Sequence, residues 1–105
     1  MKITDIKLAE KYMAKKNNAN QRSISFELSL KRFRQLMNTK KCIYTGIEFI
    51  DNHGQFGRSL DRIDANKGYT DKNTVACIIS INQLKSNLNA KDIIKLANKL
   101  TKLIK

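Results

Sequence analysis

Residues 59–69 read Ser-Leu-Asp-Arg-Ile-Asp-Ala-Asn-Lys-Gly-Tyr, and Asn73, Asn82 and Lys85 follow them. This stretch decides the fold. A strand is expected over 59–63. Residues 74–79, Thr-Val-Ala-Cys-Ile-Ile, have the β-branched composition of a second strand. Between them lies a polar connection containing Gly68, where a positive φ is expected. Residues 80–87 then begin a helix. Strand, turn, strand and helix in this order put Asp61 at the end of the first strand and Asn82 on the helix. Both can then reach one divalent cation.

Upstream, residues 42–50, Cys-Ile-Tyr-Thr-Gly-Ile-Glu-Phe-Ile, turn about Gly46. The polar loop 51–58 holds Gly54, Gly57 and the only histidine, His53. Ser29 can cap a helix over 30–38. Its apolar side is Leu30, Phe33 and Leu36/Met37, with Lys31, Arg32 and Arg34 outward. Residues 24–28 alternate like a short extended piece. Residues 17–22, Asn-Asn-Ala-Asn-Gln-Arg, carry no apolar period and read as a linker. A first helix over 4–16, capped by Thr4, places Ile6, Ala9 and Met13 on one side, with Leu8 and Tyr12 adjacent. Lys7, Lys11 and Lys15 form a basic stripe along it. Near the C-terminus, Asn89 and Asp92 resemble a capping box, and Ile93, Ile94, Ala97, Leu100 and Ile104 mark the buried stripe of a final helix. The length suits one α+β domain over 1–105.

Charge narrows the partners. Lys and Arg number 21 against 9 acidic residues, a net +12. Such self-repulsion calls for a polyanionic partner, nucleic acid before an anionic membrane surface. No apolar run approaches the roughly 20 residues that span a bilayer. The N-terminus has no apolar signal core, so a cytoplasmic, reducing location is expected, with Cys42 and Cys77 as free thiols.

The spaced set carries chemistry. Cleaving a phosphodiester needs a nucleophile, stabilisation of developing charge and help for the leaving oxygen. One Mg²⁺ (or Mn²⁺) held by a carboxylate and a neutral oxygen can supply the last two. Asp61 is such a carboxylate and the Asn82 carbonyl such an oxygen. Arg58, Arg62, Lys67, Lys72 and Lys85 are the cations nearby that can bind flanking phosphates.

Residues 42–87 are similar to the HNH-type, or ββα-metal, endonucleases. They look most like the small phage and mobile-element branch, where Cys-x-x-Thr-Gly precedes Ser-Leu-Asp-Arg-Ile-Asp and Lys-Gly-Tyr. Residues 26–38 also resemble what precedes the module there. Residues 1–41 and 88–105 would flank this core with helices. The resemblance implies a metal-dependent DNA endonuclease acting on double-stranded or branched DNA as a monomer or homodimer, in host cytoplasm if phage-encoded. It implies that Asp61 and Asn82 bind the metal, Asn73 braces the loop between the strands, and Lys85 faces the nucleic acid.

Two departures matter. The residue after the metal-binding Asp is usually the His that activates water, and here it is Arg62. Arginine stays protonated and is no ordinary general base. His53 or Asp64 can serve instead, the metal alone can lower the water pKa, or the module binds without cutting. In the last case the chain is a nucleic-acid-binding protein or an inhibitor of a host factor. Arg62 itself suits phosphate clamping. The second departure concerns the zinc knuckle of many relatives. Of its four cysteines only Cys42 stands in register; Thr45, Ile78 and Ile81 replace the others. Tetrahedral zinc needs four ligands, so no structural zinc is expected.

Overall fold

The computed structural model describes residues 4–87 and 90–104. Its elements are α1 (Asp5–Gln21), α2 (Leu30–Asn38), β1 (Arg58–Arg62), β2 (Thr74–Ile78), α3 (Ile79–Asn87) and α4 (Ala90–Leu103). The class is α+β. β1 and β2 pair antiparallel, with Leu60 opposite Ala76 and Asp61 opposite Val75. Every residue of β2 is buried. Ile43 donates its amide to the Ala76 carbonyl (3.1 Å), so the turn about Gly46 covers part of the outer edge of β2. Gly46 itself has φ 73°, in the left-handed region that favours glycine.

Two apolar clusters hold these elements together. The larger joins Leu8 and Ala19 of α1, Leu28, Phe33 and Leu36, Leu60 of β1, Tyr69 and Ala76. The smaller joins Cys42, Cys77 and Ile78, with Phe49, Phe56 and Ile81 packed against it. Side chains alternate along a strand. Leu60 therefore enters the larger cluster while its neighbours Ser59 and Asp61 face the other way, toward α3.

α1 departs from expectation twice. It runs through residues 17–21, which the sequence reads as linker. The reason is Ala19, fully buried in the main cluster, which ties this last stretch of the helix to the core. The helix then ends in a Schellman motif. Ile24 N–H donates to Ala19 O (2.8 Å) and Ser23 N–H to Asn20 O (3.0 Å), with Ser23 at φ 56°. The buried face is also different. Leu8, Tyr12, Lys15 and Ala19 turn inward or lie half-buried, whereas Ile6 and Met13 are exposed. Lys15 thus leaves the outward stripe of Lys7 and Lys11.

α2 starts at Ser29, whose Oγ accepts from Arg32 N–H (3.1 Å). Phe33 and Leu36 are buried, but Leu30 is exposed. Arg32 turns inward and donates to the Thr74 carbonyl (3.5 Å). Asp71, from the β1–β2 connection, accepts from both the amide (2.8 Å) and the hydroxyl (2.9 Å) of Ser29. These bonds hold its carboxyl below the usual range. A carboxylate with a lowered folded-state pKa stabilises above its unfolded value, and the benefit fades as pH falls through the folded one. Asp71→Asn is therefore expected to lower the melting temperature at pH 7, and the gap to the parent should close as pH drops below 4. Melting curves across pH check this; a gap that persists in acid would contradict it.

Gly68 does not take a positive φ; among the described residues Gly46 is the one glycine that does. Its requirement is space. A Cβ there would lie 2.5 Å from the Ser25 carbonyl oxygen. This close approach lets residues 25–27 pair with Tyr69: Tyr69 N–H donates to Ser25 O (2.9 Å) and Glu27 N–H to Tyr69 O (2.8 Å).

The expected cap at Asn89 lies outside the described residues. α4 packs on α3, but Ile94, Leu96, Leu100, Leu103 and Ile104 face solvent. Of the expected buried stripe, Ile93 is half-buried while Ile94, Ala97, Leu100 and Ile104 are exposed. An amphipathic repeat establishes an apolar face, not a surface that covers it. No helix among the described residues is long and apolar enough to cross a membrane.

Candidate functional site

A cleft of about 380 Å³ opens between β1, the length of α3 and the second half of α1. Asp61 and Asn82 both line it, with Arg62 and Lys85. α1 adds Lys15, and its C-cap adds Arg22, which pattern reading did not place here. Tyr69 closes the floor, with the Lys15 ammonium 4.7 Å and the Arg62 guanidinium 5.4 Å from its ring centre.

Asp61 is buried at the end of β1. Its Oδ2 accepts from the Tyr44 hydroxyl (2.8 Å) and from the Lys85 ammonium in a short ion pair. Lys85 also donates to Tyr44 Oη (3.0 Å). Burial alone would push Lys85 down, but its hydrogen bonds to Asp61 and Tyr44 outweigh that and raise it. Burial pushes Tyr44 up, against the bond from Lys85. Both donors thus keep their protons at neutral pH. Tyr44 is a site residue that sequence reasoning missed. Its place in the Cys-Ile-Tyr-Thr-Gly turn signals a tight loop, not a direction.

Asn82 sits on the first turn of α3. Its amide NH₂ donates to Ser59 Oγ (2.5 Å) and the Leu60 carbonyl (3.3 Å). The helix is thereby tied to the strand beside Asp61, and the amide oxygen is the atom not engaged by β1. Asn73 accepts from Asp64 N–H (2.9 Å) and donates to the carbonyls of Asp64 (3.1 Å) and Gly68 (2.9 Å). One side chain thus closes the β1–β2 connection with three bonds.

Other candidate residues are committed elsewhere. Arg62 donates to the Ala65 and Lys67 carbonyls (3.0 Å each), so its guanidinium braces the loop from the cleft rim. Arg58 does not reach the cleft. It donates to the Leu36 carbonyl (2.9 Å) and to Thr39 O at the end of α2, and stacks on Phe49. A cation there satisfies the last carbonyls of the helix. Lys67 and Lys72 are exposed but do not line the cleft. His53 is also outside it. Its Nδ1 accepts from the Gln55 and Phe56 amides (3.3 and 3.2 Å) and its ring packs on Phe56. The loop does not fold over the site, because His53 closes its own turn. Asp64 does not line the cleft either, and its Oδ1 accepts from Asn66 N–H (2.9 Å).

The donor set bears on a metal. Among the described residues no three His, Cys, Asp or Glu side chains converge on a point. A carboxylate and an amide oxygen in one cleft are nonetheless hard donors that suit Mg²⁺, which keeps several waters and takes phosphate oxygens. They fit such an ion, with Lys85 already on the carboxylate. Cys42 and Cys77 are free, buried thiols in the smaller cluster. Burial and the Asp61 charge push the Cys77 thiol up to about 12, so it stays neutral and packs with Ile78 and Ile81. Compared with profiles of known families, with characterised proteins and with solved structures, the chain matches none.

Proposed function

We propose that the protein is a divalent-metal-dependent endonuclease that hydrolyses DNA phosphodiesters, built on an HNH-like ββα core. One observation carries the reading: Asp61 from β1 and Asn82 from α3 open into the same cationic cleft. Asp61 and Asn82 would hold Mg²⁺ or Mn²⁺, which when bound neutralises phosphorane charge and lowers the pKa of water. Lys15, Arg22 and Lys85 line the walls and bind the flanking phosphates. Asn73 and Arg62 keep the β1–β2 loop rigid, and with it the angle of Asp61. Phosphate contacts of this kind position the strand without reading its bases.

The test is nicking of supercoiled plasmid by the full chain in Mg²⁺ or Mn²⁺. Metal-dependent conversion to open circles supports the reading. A second reading is nucleic-acid binding without cleavage. It is favoured by the Lys85–Asp61 ion pair and by the position of His53 outside the cleft. Intact plasmid in every metal, with gel shifts that weaken steeply in salt, would select it.

Arg62→His bears on the water-activating group. The imidazole would replace, at the cleft rim one residue after Asp61, a guanidinium that now sits over Tyr69 and braces the loop, and it is too short to keep both loop carbonyls. Nicking is expected to rise roughly ten- to a hundredfold, at or below the low end of a positioned base. Single-turnover nicking rates measure this. An unchanged rate would assign water activation to another group.

A further inference from the structure

The Lys85 ammonium has a second consequence for the cleft, resting on the metal-site reading above. Lys85 and Tyr44 converge on one oxygen of a single buried carboxylate. Among the described residues Asp61 is the one acidic side chain lining the cleft, against Lys15, Arg22, Arg62 and Lys85. Its charge is already balanced from within the chain. A dication entering here meets an excess of positive charge and a carboxylate oxygen that is hydrogen-bonded twice.

We propose that Lys85 is an internal stand-in for the divalent cation. In the metal-free protein it neutralises Asp61 and keeps the cleft closed to weakly held ions. The ion binds by exchanging with the ammonium, which moves off the Asp61 carboxylate and keeps its own proton. Lys85 is anchored one helical turn beyond Asn82, at the cleft wall, so the freed ammonium remains where a phosphate oxygen of the bound strand can take it. Tyr44 holds the resting arrangement by bonding both partners, and is a positioning residue. The protein itself thus sets the ion concentration at which its site fills.

Three features support exchange over a fixed structural ion pair. The Lys85 side chain keeps about a quarter of its surface in solvent, so it can leave without crossing packed side chains. Its other acceptors are Tyr44 Oη and the Arg62 carbonyl (3.4 Å), both at the same rim. Asn82 stays tied to Ser59 and Leu60 through its NH₂, so its position does not depend on Lys85.

The experiment is calorimetric titration of the full chain with MnCl₂, without DNA. Lys85→Met keeps the stem and removes the charge. It is expected to tighten Mn²⁺ binding at least about tenfold, since an opposite charge at this range shifts a carboxylate's preference by one to three decades. Tyr44→Phe should tighten it less, in the same direction, and carries the test should Lys85→Met fail to fold by circular dichroism. Asp61→Asn should abolish the heat in either background. Equal or weaker Mn²⁺ binding in folded Lys85→Met and Tyr44→Phe, with the parent binding measurably, would overturn the stand-in role and leave the metal site intact. No Mn²⁺ binding in the parent or either variant would overturn the metal-site reading, and this proposal with it.

Discussion

Asp61→Asn is expected to lower the rate of plasmid nicking by about 10³-fold or more. Asparagine matches the carboxylate in shape, so the loss isolates its charge. Among the described residues the carboxylate is the single anionic donor in the cleft; without it a divalent ion has only neutral oxygens there. Removing metal-assisted charge stabilisation forfeits several kcal/mol of barrier reduction, and each 1.4 kcal/mol is about tenfold. DNA affinity should move the other way. Lys85 loses its counter-ion and becomes free for phosphate, so gel-shift affinity should hold or rise at low salt and fall more steeply with salt. The fold should survive, because the Lys85 head lies at the cleft rim where water can resolvate it. Loss of nicking with retained DNA binding and an unchanged circular dichroism spectrum is the expected set. Undiminished nicking would remove Asp61 from the reaction.

The largest effect on stability is expected at Phe33. Phe33→Ala should cost about 3–5 kcal/mol, a large share of the roughly 5–15 kcal/mol of a typical domain. Phe33 is 2% exposed and joins α1 to α2 in the main cluster. Its ring meets Tyr12 edge to face at 5.3 Å, and Tyr12 in turn meets Phe26 at 5.4 Å. Tyr12 is anchored by its hydroxyl to the Leu28 carbonyl (2.6 Å), so it cannot swing freely into the vacated space. The cavity therefore stays largely open. Urea denaturation should show the midpoint falling with little change in slope. Leu30→Ala, on the same helix but 44% exposed, should cost less than about 1 kcal/mol. Equal losses at both positions would mean that α2 does not pack as described.

Much of the core could be read in the sequence because its signals are local. β1 and β2 lie within a residue of expectation, and α3 begins one residue earlier than expected. Thr4 and Ser29 cap their helices through oxygen–amide bonds that short polar side chains make wherever they precede a helix. α1 was harder. Asn17, Asn18 and Asn20 have weak helix propensity, and a period of Leu8, Tyr12, Lys15 and Ala19 has a lysine in its middle. Lys15 hid that face because its stem packs inward while its ammonium finds the Tyr69 ring. Gly68 was marked correctly as special but for the wrong reason, since close approach and positive φ both call for glycine.

What the residues alone determined is the order of elements and the placement of a carboxylate on a strand end and an amide on the following helix. Periodicity, caps and turn residues act over a few positions, so they survive without a tertiary context. Only the folded chain decided where each cation goes. Arg58 closes α2, Arg62 closes a loop, and Lys85 takes Asp61 together with Tyr44. The physical reason is that buried polar groups must be partnered, and here the partners come from segments far apart in the chain. A basic residue near Asp61 in sequence therefore carries no sign of whether it serves the fold or the cleft.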